Sequence, residues 1–318
     1  MSNLLITRRL PDPVLEAAQA RFDVTLRDDT SPLTYLEVIE ALRDYDLVLP
    51  TLGDMFDAQA FTDVPNPRCK LLANFGVGYN HIDVKAAREA GVAVTNTPGA
   101  VTDATADIAL TLMLMTARRA GEGERLVRSG KWQGWHPTQM LGLHMTGKTV
   151  GIVGMGRIGK AVARRAHLGF GMEVVFYNRS PVADPGVPAR QLASLAEVMG
   201  AADIVVIAVP GGGANRHMID ASALGAMKPT GHLVNISRGD VIDESALIAA
   251  LSDGLIAGAG LDVYEHEPKV PGTLRALENV VLLPHLGTAA LEVRTAMGMM
   301  AVDNLIAFDE GRDLPNPV

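Results

Sequence analysis

The stretch Thr149-Val150-Gly151-Ile152-Val153-Gly154-Met155-Gly156-Arg157-Ile158-Gly159 decides the fold. Thr149–Val153 reads as a strand, Ile158–Leu168 as a helix, and Glu173–Tyr177 as the next strand. Between the first two lie three glycines at the G-x-G-x-x-G spacing. The first two permit tight curvature and close approach to a pyrophosphate, and the third lets helix and strand pack closely. Backbone amides around Gly154, Gly156, Arg157, Ile158 and Gly159 then meet the phosphate charge at the helix start. Alone the pattern is weak. Set between a strand and a helix, with another strand following, it predicts a dinucleotide-binding unit.

At the end of that next strand, where a carboxylate commonly binds the ribose hydroxyls, the chain reads Tyr177-Asn178-Arg179-Ser180. Arg179 is suited to an added phosphate, and Asn178 and Ser180 can donate hydrogen bonds to it. This predicts NADP(H) as preferred cofactor with NAD(H) still possible. A solvated Arg179, or one stacked over adenine, is the alternative. Further strands are expected at Ile204–Val209, Leu233–Ile236, Ala259–Asp262 and Val280–Leu283. With helices between several of them, this is a doubly wound sheet. A last helix is expected after Gly287, ending near Gly311.

Upstream, Leu4–Thr7, Phe22–Leu26, Leu47–Pro50, Leu71–Asn74 and Val92–Thr95 read as strands. Pro13–Ala20, Tyr35–Ala41 and Val84–Ala90 read as helices, so a second parallel sheet with helical cover is expected. The Gly76-Val77-Gly78 turn follows one strand end; it reads equally as an anion-facing turn and as a purely structural one. A long buried helix is expected from near Val101 to before Gly121, with Asp103 and Asp107 at its positive end and Arg118 and Arg119 at its negative end. Trp132, Trp135, His136 and Pro137 mark Gly130–Thr146 as a loop with large contact surfaces, either packed in a core or interface or forming a pocket wall.

The length of 318 residues suits two domains. A chain 48% hydrophobic and 20% charged can build substantial cores, while 4% aromatic content favours close helix–sheet packing over aromatic-lined grooves. The net charge of −8 without a basic block argues against nucleic acid as partner. Cys69 has no partner for a disulfide and reads as a small buried hydrophobe. Met1-Ser2-Asn3 runs into Leu4-Leu5-Ile6-Thr7 without a leader pattern, and no apolar run is long enough for a bilayer. A cytoplasmic location without membrane contact is expected.

Three later strand ends carry chemistry. Asn235-Ile236-Ser237-Arg238-Gly239-Asp240 follows one, Tyr264-Glu265-His266-Glu267-Pro268 the next, and Leu283-Pro284-His285 ends a third. Carboxyl strand ends share one crevice in doubly wound folds. Arg238 offers a donor fork for a carboxylate and a developing alkoxide. His285 can give that alkoxide a proton or take it back, and Glu267 can orient the imidazole and stabilise its cation. Taken singly, Arg238 also reads as a solvated turn charge, Glu267 as a surface carboxylate and His285 as a histidine capping the sheet. Asp262 reads as a cofactor-side acceptor. His136, His144, His232, His266 and His285 are scattered without metal-ligand spacing, so no metal is expected.

These residues resemble the D-isomer-specific 2-hydroxyacid dehydrogenase family over nearly the whole chain. The likeness rests on Gly154–Gly159, Asn235–Gly239, Gly260-Leu261-Asp262-Val263 with Glu267-Pro268, and Leu283–Gly287. Within it, Thr97-Pro98, Thr102–Asp107, Trp132-Gln133-Gly134-Trp135, Arg179-Ser180 and Ile236–Val241 resemble the glyoxylate/hydroxypyruvate reductases. The resemblance implies an α/β chain of two parallel-sheet domains, with a doubly wound Rossmann coenzyme domain (99–288) inserted in a flavodoxin-like substrate domain (1–98 and 289–318). It implies that Arg238 holds substrate, that His285 is the acid/base supported by Glu267, and that Asp262 sits near the nicotinamide carboxamide. The amides of Val77 and Gly78 would grip the substrate carboxylate, and the loop after Leu49-Pro50-Thr51-Leu52-Gly53 would line its acyl side. It also implies a homodimer through the coenzyme domains, with Trp135 reaching the partner's cleft. The expected reaction is reduction of glyoxylate or hydroxypyruvate. The alternatives are a broader dehydrogenase for bulkier D-2-hydroxy acids and a nucleotide-binding corepressor.

Overall fold

The computed structural model describes residues 1–318 and divides them into two units, Met1–Val101 with Ala289–Val318, and Thr102–Thr288. The first junction thus falls a few residues later than the sequence reading put it, where a new helix begins at Thr102.

In the first unit, β1 (Asn3–Ile6), α1 (Asp12–Gln19), β2 (Asp23–Leu26), α2 (Tyr35–Asp44), β3 (Leu47–Leu49), α3 (Ala58–Asp63), β4 (Leu71–Ala73), α4 (Val84–Glu89) and β5 (Ala93–Thr95) follow in order. The strands form one parallel sheet in the order β2-β1-β3-β4-β5. β3 and β4 are apolar at every position because helices cover both faces of the sheet. One face packs Leu5, Val48 and Leu72 on Val38, Leu42 and Phe56. The other packs Leu4, Ile6, Leu49 and Leu71 on Val14 and on Ala301, Val302 and Leu305 of the C-terminal helix, Leu291–Asp309. Thr34 and Glu37 form a capping box that starts α2. The sequence reading omitted α3, a short helix whose start is Asp57 accepting from the Ala60 amide.

The second unit begins with α5 (Thr102–Ala117) and α6 (Ala120–Arg128). The single long helix expected from the sequence is therefore two. Arg119 takes a left-handed φ of 52°, which breaks the helix after Ala117 and leaves Gly121 inside α6. Then come β6 (Thr149–Val153), α7 (Arg157–Phe170), β7 (Glu173–Tyr177), β8 (Arg190–Gln191), α8 (Leu195–Ala201), β9 (Ile204–Ile207), α9 (Ala221–Gly225), β10 (His232–Asn235), α10 (Glu244–Ser252), β11 (Gly258–Leu261), α11 (Gly272–Ala276) and β12 (Val280–Leu282). All seven strands are parallel, in the order β12-β11-β10-β9-β6-β7-β8. The edge strand β8 went unread because it is only two exposed residues long. Chain direction across the sheet reverses between β6 and β9, so the crevice at their carboxyl ends is the switch point where such sheets bind ligands.

α5 is buried against β10 and β11 through Ala109, Leu112 and Met113. The segment between α6 and β6 has no regular structure, and Trp132 and Trp135 are 51% and 79% exposed. The core-packing reading of these tryptophans therefore fails within this chain. Cys69 is buried, and burial pushes its thiol up to about 12. No helix is long and apolar enough to cross a membrane.

Candidate active site

The glycine turn has a separate cause at each position. Gly154 has φ 100°, and a Cβ there would lie 2.7 Å from the Ala208 carbonyl at the end of β9. A Cβ on Gly159 would lie 2.1 Å from the Gly154 carbonyl, so α7 can start this close to β6 only without one. Gly156 differs: its φ is −81°, and a Cβ would meet nothing within 4 Å. Neither packing nor backbone conformation within the chain calls for glycine there. Space for a ligand does. Gly156 caps α7 without a side-chain bond, and Arg157 is exposed beside it, so the helix start has amides facing open space. These residues fit the pyrophosphate of a dinucleotide.

Asn178 fastens the turn from the next strand end. Its Oδ1 accepts from the Met155 amide at 3.2 Å, and its Nδ2 donates to the Ser180 carbonyl at 2.9 Å. Gln191, absent from the sequence reading, donates to the carbonyls of both Asn178 and Ser180. Arg179 is exposed and forms no ion pair within the chain.

The chemical groups occupy the carboxyl ends of β10, β11 and β12, three adjacent strands. His285 Nδ1 and Glu267 Oε2 are 2.8 Å apart. Burial pushes the Glu267 carboxyl up, but the His285 bond and charge and the Tyr264 amide outweigh it and hold the group below its ordinary range. An ionised carboxylate only accepts, so Nδ1 carries the proton and Nε2 is left for proton exchange. The other oxygen, Oε1, accepts from the Tyr264 amide at 3.0 Å. His285 has a left-handed φ of 53°, a conformation a non-glycine residue holds only under constraint. Asp262 provides it. Its carbonyl accepts from the His285 amide, and its carboxylate oxygens accept from Leu286 at 2.6 Å and Gly287 at 2.9 Å. Asp262, expected as a cofactor-side acceptor, also holds the histidine loop.

Arg238 follows β10 on a turn that Asn235 ties: Oδ1 accepts from the Ser237 amide, and Nδ2 donates to the Arg238 carbonyl. One guanidinium nitrogen donates to the Ser237 carbonyl at 2.7 Å. Burial lowers the guanidinium's pKa from its ordinary value, and the Glu267 and Asp240 charges oppose that shift. The group stays a cation with donors to offer.

In the first unit, the Gly76-Val77-Gly78 turn is tied through its carbonyls. Asn74 Nδ2 donates to those of Gly76 and Gly78, and Asn96 Nδ2 to that of Val77. His81 in turn bonds Asn74 Oδ1 at 3.0 Å. The Val77 and Gly78 amides have no bond within the chain. Asn74, His81 and Asn96 escaped the sequence reading because nothing local marks them. In the loop after β3, buried Asp54 accepts from Thr7 Oγ1 at 2.6 Å and from the amides of Thr51 and Leu33, while Leu52 and Met55 stay exposed.

The scattered histidines assemble no group of three metal-ligating side chains. His232 instead packs at the start of β10 with Nδ1 3.0 Å from Thr116 Oγ1, and burial pulls its pKa down to about 4. A cavity of about 580 Å³ beside it is lined by Thr116, Arg119, His232 and Asn279, and not by Arg238, Glu267 or His285.

Residues 110–287 match the family model described as D-isomer specific 2-hydroxyacid dehydrogenase, NAD binding domain. A glyoxylate reductase of Thermococcus kodakarensis is 44% identical over 99% of this chain and 95% of that protein. Among solved structures, an NADPH-dependent glyoxylate/hydroxypyruvate reductase from Sinorhizobium meliloti, in complex with NADP and malonate, superposes with a TM-score of 0.88 at 35% identity, covering 100% of this chain and 96% of that one. D-mandelate dehydrogenase from Rhodotorula graminis gives 0.86 at 31% identity, covering 100% and 97%.

Proposed function

The chain belongs to the D-isomer specific 2-hydroxyacid dehydrogenase family, and from that premise we propose that it reduces glyoxylate and hydroxypyruvate to their 2-hydroxy acids, with NADPH preferred over NADH. The observation that carries the reading is the Glu267–His285 pair, which joins the ends of β11 and β12 beside Arg238 at the end of β10. When bound, the nicotinamide supplies the hydride that adds to C2 of the 2-oxo acid. Arg238 directs guanidinium N–H groups at the substrate carboxylate and carbonyl oxygen, stabilising that oxygen as it gains negative charge. His285, protonated at both ring nitrogens, gives the Nε2 proton to the forming alkoxide, and Glu267 holds Nδ1 throughout. Hydride and proton together complete the 2-hydroxy acid, and the reverse reaction returns the proton to Nε2.

NADPH preference is supported by Arg179, exposed and unpaired where a carboxylate would repel the added phosphate. The Sinorhizobium relative is itself described as NADPH-dependent. Asp262 serves this site by fixing the Leu286-Gly287 loop. A homodimer through the second unit would cover Trp132 and Trp135, whose exposure is unusual for so large an apolar surface. The similarity to D-mandelate dehydrogenase favours a second reading, a broader enzyme that accepts bulkier acids. A corepressor with vestigial chemistry would have no use for a complete Arg238, Glu267 and His285 set.

Steady-state kcat/KM with glyoxylate, hydroxypyruvate and phenylpyruvate, each with NADPH and NADH, tests the proposal. High efficiency with NADPH on the two small acids is expected. Strong phenylpyruvate turnover would shift the reading to the broader enzyme, an NADH preference would overturn the Arg179 argument, and dinucleotide binding without any turnover would favour the corepressor.

A further inference from the structure

Behind the catalytic pair, the segments that follow β9, β10 and β11 are interlocked. Gly239, after β10, lies so close to the segment after β11 that a Cβ would fall 1.8 Å from the Tyr264 carbonyl carbon. The Asp240 carboxylate accepts from the Gly212 amide at 2.7 Å, and its carbonyl accepts from the His217 amide at 2.8 Å. The link between the segments after β9 and β11 is ionic: Glu265 Oε1 lies 2.7 Å from His217 Nε2 and 2.9 Å from the Arg216 guanidinium. The Glu265 side chain is 10% exposed, and it stands two places before Glu267.

We propose that Glu265, latched by His217 and Arg216, is a positioning residue that fixes the Tyr264–Glu267 segment and thereby sets Glu267 on His285 Nδ1. The inference rests on the reading of His285 as acid/base. The latch is a constrained element. His217 has a left-handed φ of 51°, which its backbone bond to Asp240 and its side-chain bond to Glu265 maintain against local strain. Burial pushes the Glu265 carboxyl up, and the bond and charge from His217 outweigh it, so the group is ionised and His217 Nε2 donates. Nearby Glu244 is itself buried, with its carboxyl pushed up by burial and by the Glu265 charge. The Glu265 carboxylate, set beside Glu244, is held by the Arg216 guanidinium and the His217 ring. Without them the segment carrying Glu267 loses its tie to the loop after β9. The Glu267–His285 bond is short enough to be lost on a displacement of about 1 Å, and misplacement of that order lowers turnover by about 100-fold.

The test uses the full-length protein and its H217L, H217Q, E265Q and E267Q variants, with thermal unfolding to confirm folding. The first readout is the downfield proton resonance of His285 Nδ1, identified by its disappearance in E267Q. The second is kcat with glyoxylate and NADPH. In H217L the resonance is expected to weaken or vanish and kcat to fall roughly 10- to 100-fold, with dinucleotide affinity within about twofold of the parent. H217Q keeps an N–H donor and should retain both signals. The H217L/E267Q double variant should lose no more turnover than E267Q alone, because both changes act through one bond. An unaltered resonance and kcat in H217L, or multiplicative losses in the double variant, would overturn the proposal. If H217L does not fold, E265Q removes the carboxylate that His217 and Arg216 hold, at nearly constant shape, and carries the test. A parent protein inactive on every 2-oxo acid would refute the functional reading, while the resonance would still decide whether the latch exists.

Discussion

The glycine turn gives two adjacent substitutions opposite consequences. In Gly159→Ala the new Cβ would start 2.1 Å from the Gly154 carbonyl oxygen and 3.1 Å from its carbon. Both are backbone atoms, so relief requires α7 and β6 to separate by about 1 Å, and overpacking of this kind costs about 1–3 kcal/mol. For a unit of this size each kcal/mol shifts Tm by roughly 2–4 °C, so a loss of about 2–12 °C is expected. In Gly156→Ala the Cβ meets nothing within 4 Å and the φ of −81° suits alanine. The poorer helix cap costs several tenths of a kcal/mol or more, and the stiffer unfolded chain returns about 0.4–1 kcal/mol. Its Tm should therefore stay within a few degrees of the parent.

The order reverses when ligand is present. A methyl at residue 156 projects into the space assigned to the pyrophosphate, and about 1–3 kcal/mol of overpacking weakens dinucleotide binding roughly 5- to 150-fold. Differential scanning fluorimetry without ligand, followed by a NADPH titration read by nicotinamide fluorescence, separates the two effects. A Gly156→Ala protein with parental Tm and parental NADPH affinity would refute the assignment of that space. One that unfolds as readily as Gly159→Ala would refute the packing argument.

Arg179→Asp should lower kcat/KM with NADPH by about 10- to 100-fold while leaving NADH within about threefold; equal losses with both cofactors would show that Arg179 does not read the phosphate. His285→Asn should lower turnover by roughly 10²- to 10⁴-fold with the fold retained by circular dichroism, and near-parental activity would remove the acid/base assignment. His232 gives a stability slope. Its folded pKa of about 4 lies below the ordinary 6.5 because burial opposes the cation, so between these values the unfolded chain binds more protons. Stability from this group is complete above about pH 6.5 and is lost as pH falls toward 4. Urea unfolding at about pH 7 and about pH 5 should show a loss of about 2 kcal/mol that His232→Gln largely abolishes.

The residues that nominate this site are marked by local signals. The glycine spacing needs only the strand before it and the helix after it, and Arg238, Glu267 and His285 stand out because each follows a short apolar run. The illegible parts depend on side chains that reach across the sheet edge. Asn178 reads as a ribose-end donor, and its bond from the Met155 amide of the neighbouring turn had no local signal. Asp262 reads as a cofactor-side acceptor, and its bonds to the loop of His285, more than twenty residues away, had no local signal. The helix break at Arg119 had no glycine or proline to mark it, whereas Gly121, which looked like a terminator, lies inside α6.

The sequence by itself determined the parallel α/β architecture and the glycine turn between β6 and α7, and it nominated Arg238, Glu267 and His285 as candidate reacting groups. Those follow from periodicity, glycine spacing and residue chemistry, which act over a few residues. Tertiary structure decided which atom of each candidate group is left without a partner. Glu267 takes His285 Nδ1 and so leaves Nε2 for proton exchange, and the carbonyls of residues 76–78 are tied so that the Val77 and Gly78 amides are unbonded. The physical reason is that a hydrogen bond is directional and short-ranged: its partner is fixed by where the chain returns in space, which separation along the sequence does not encode.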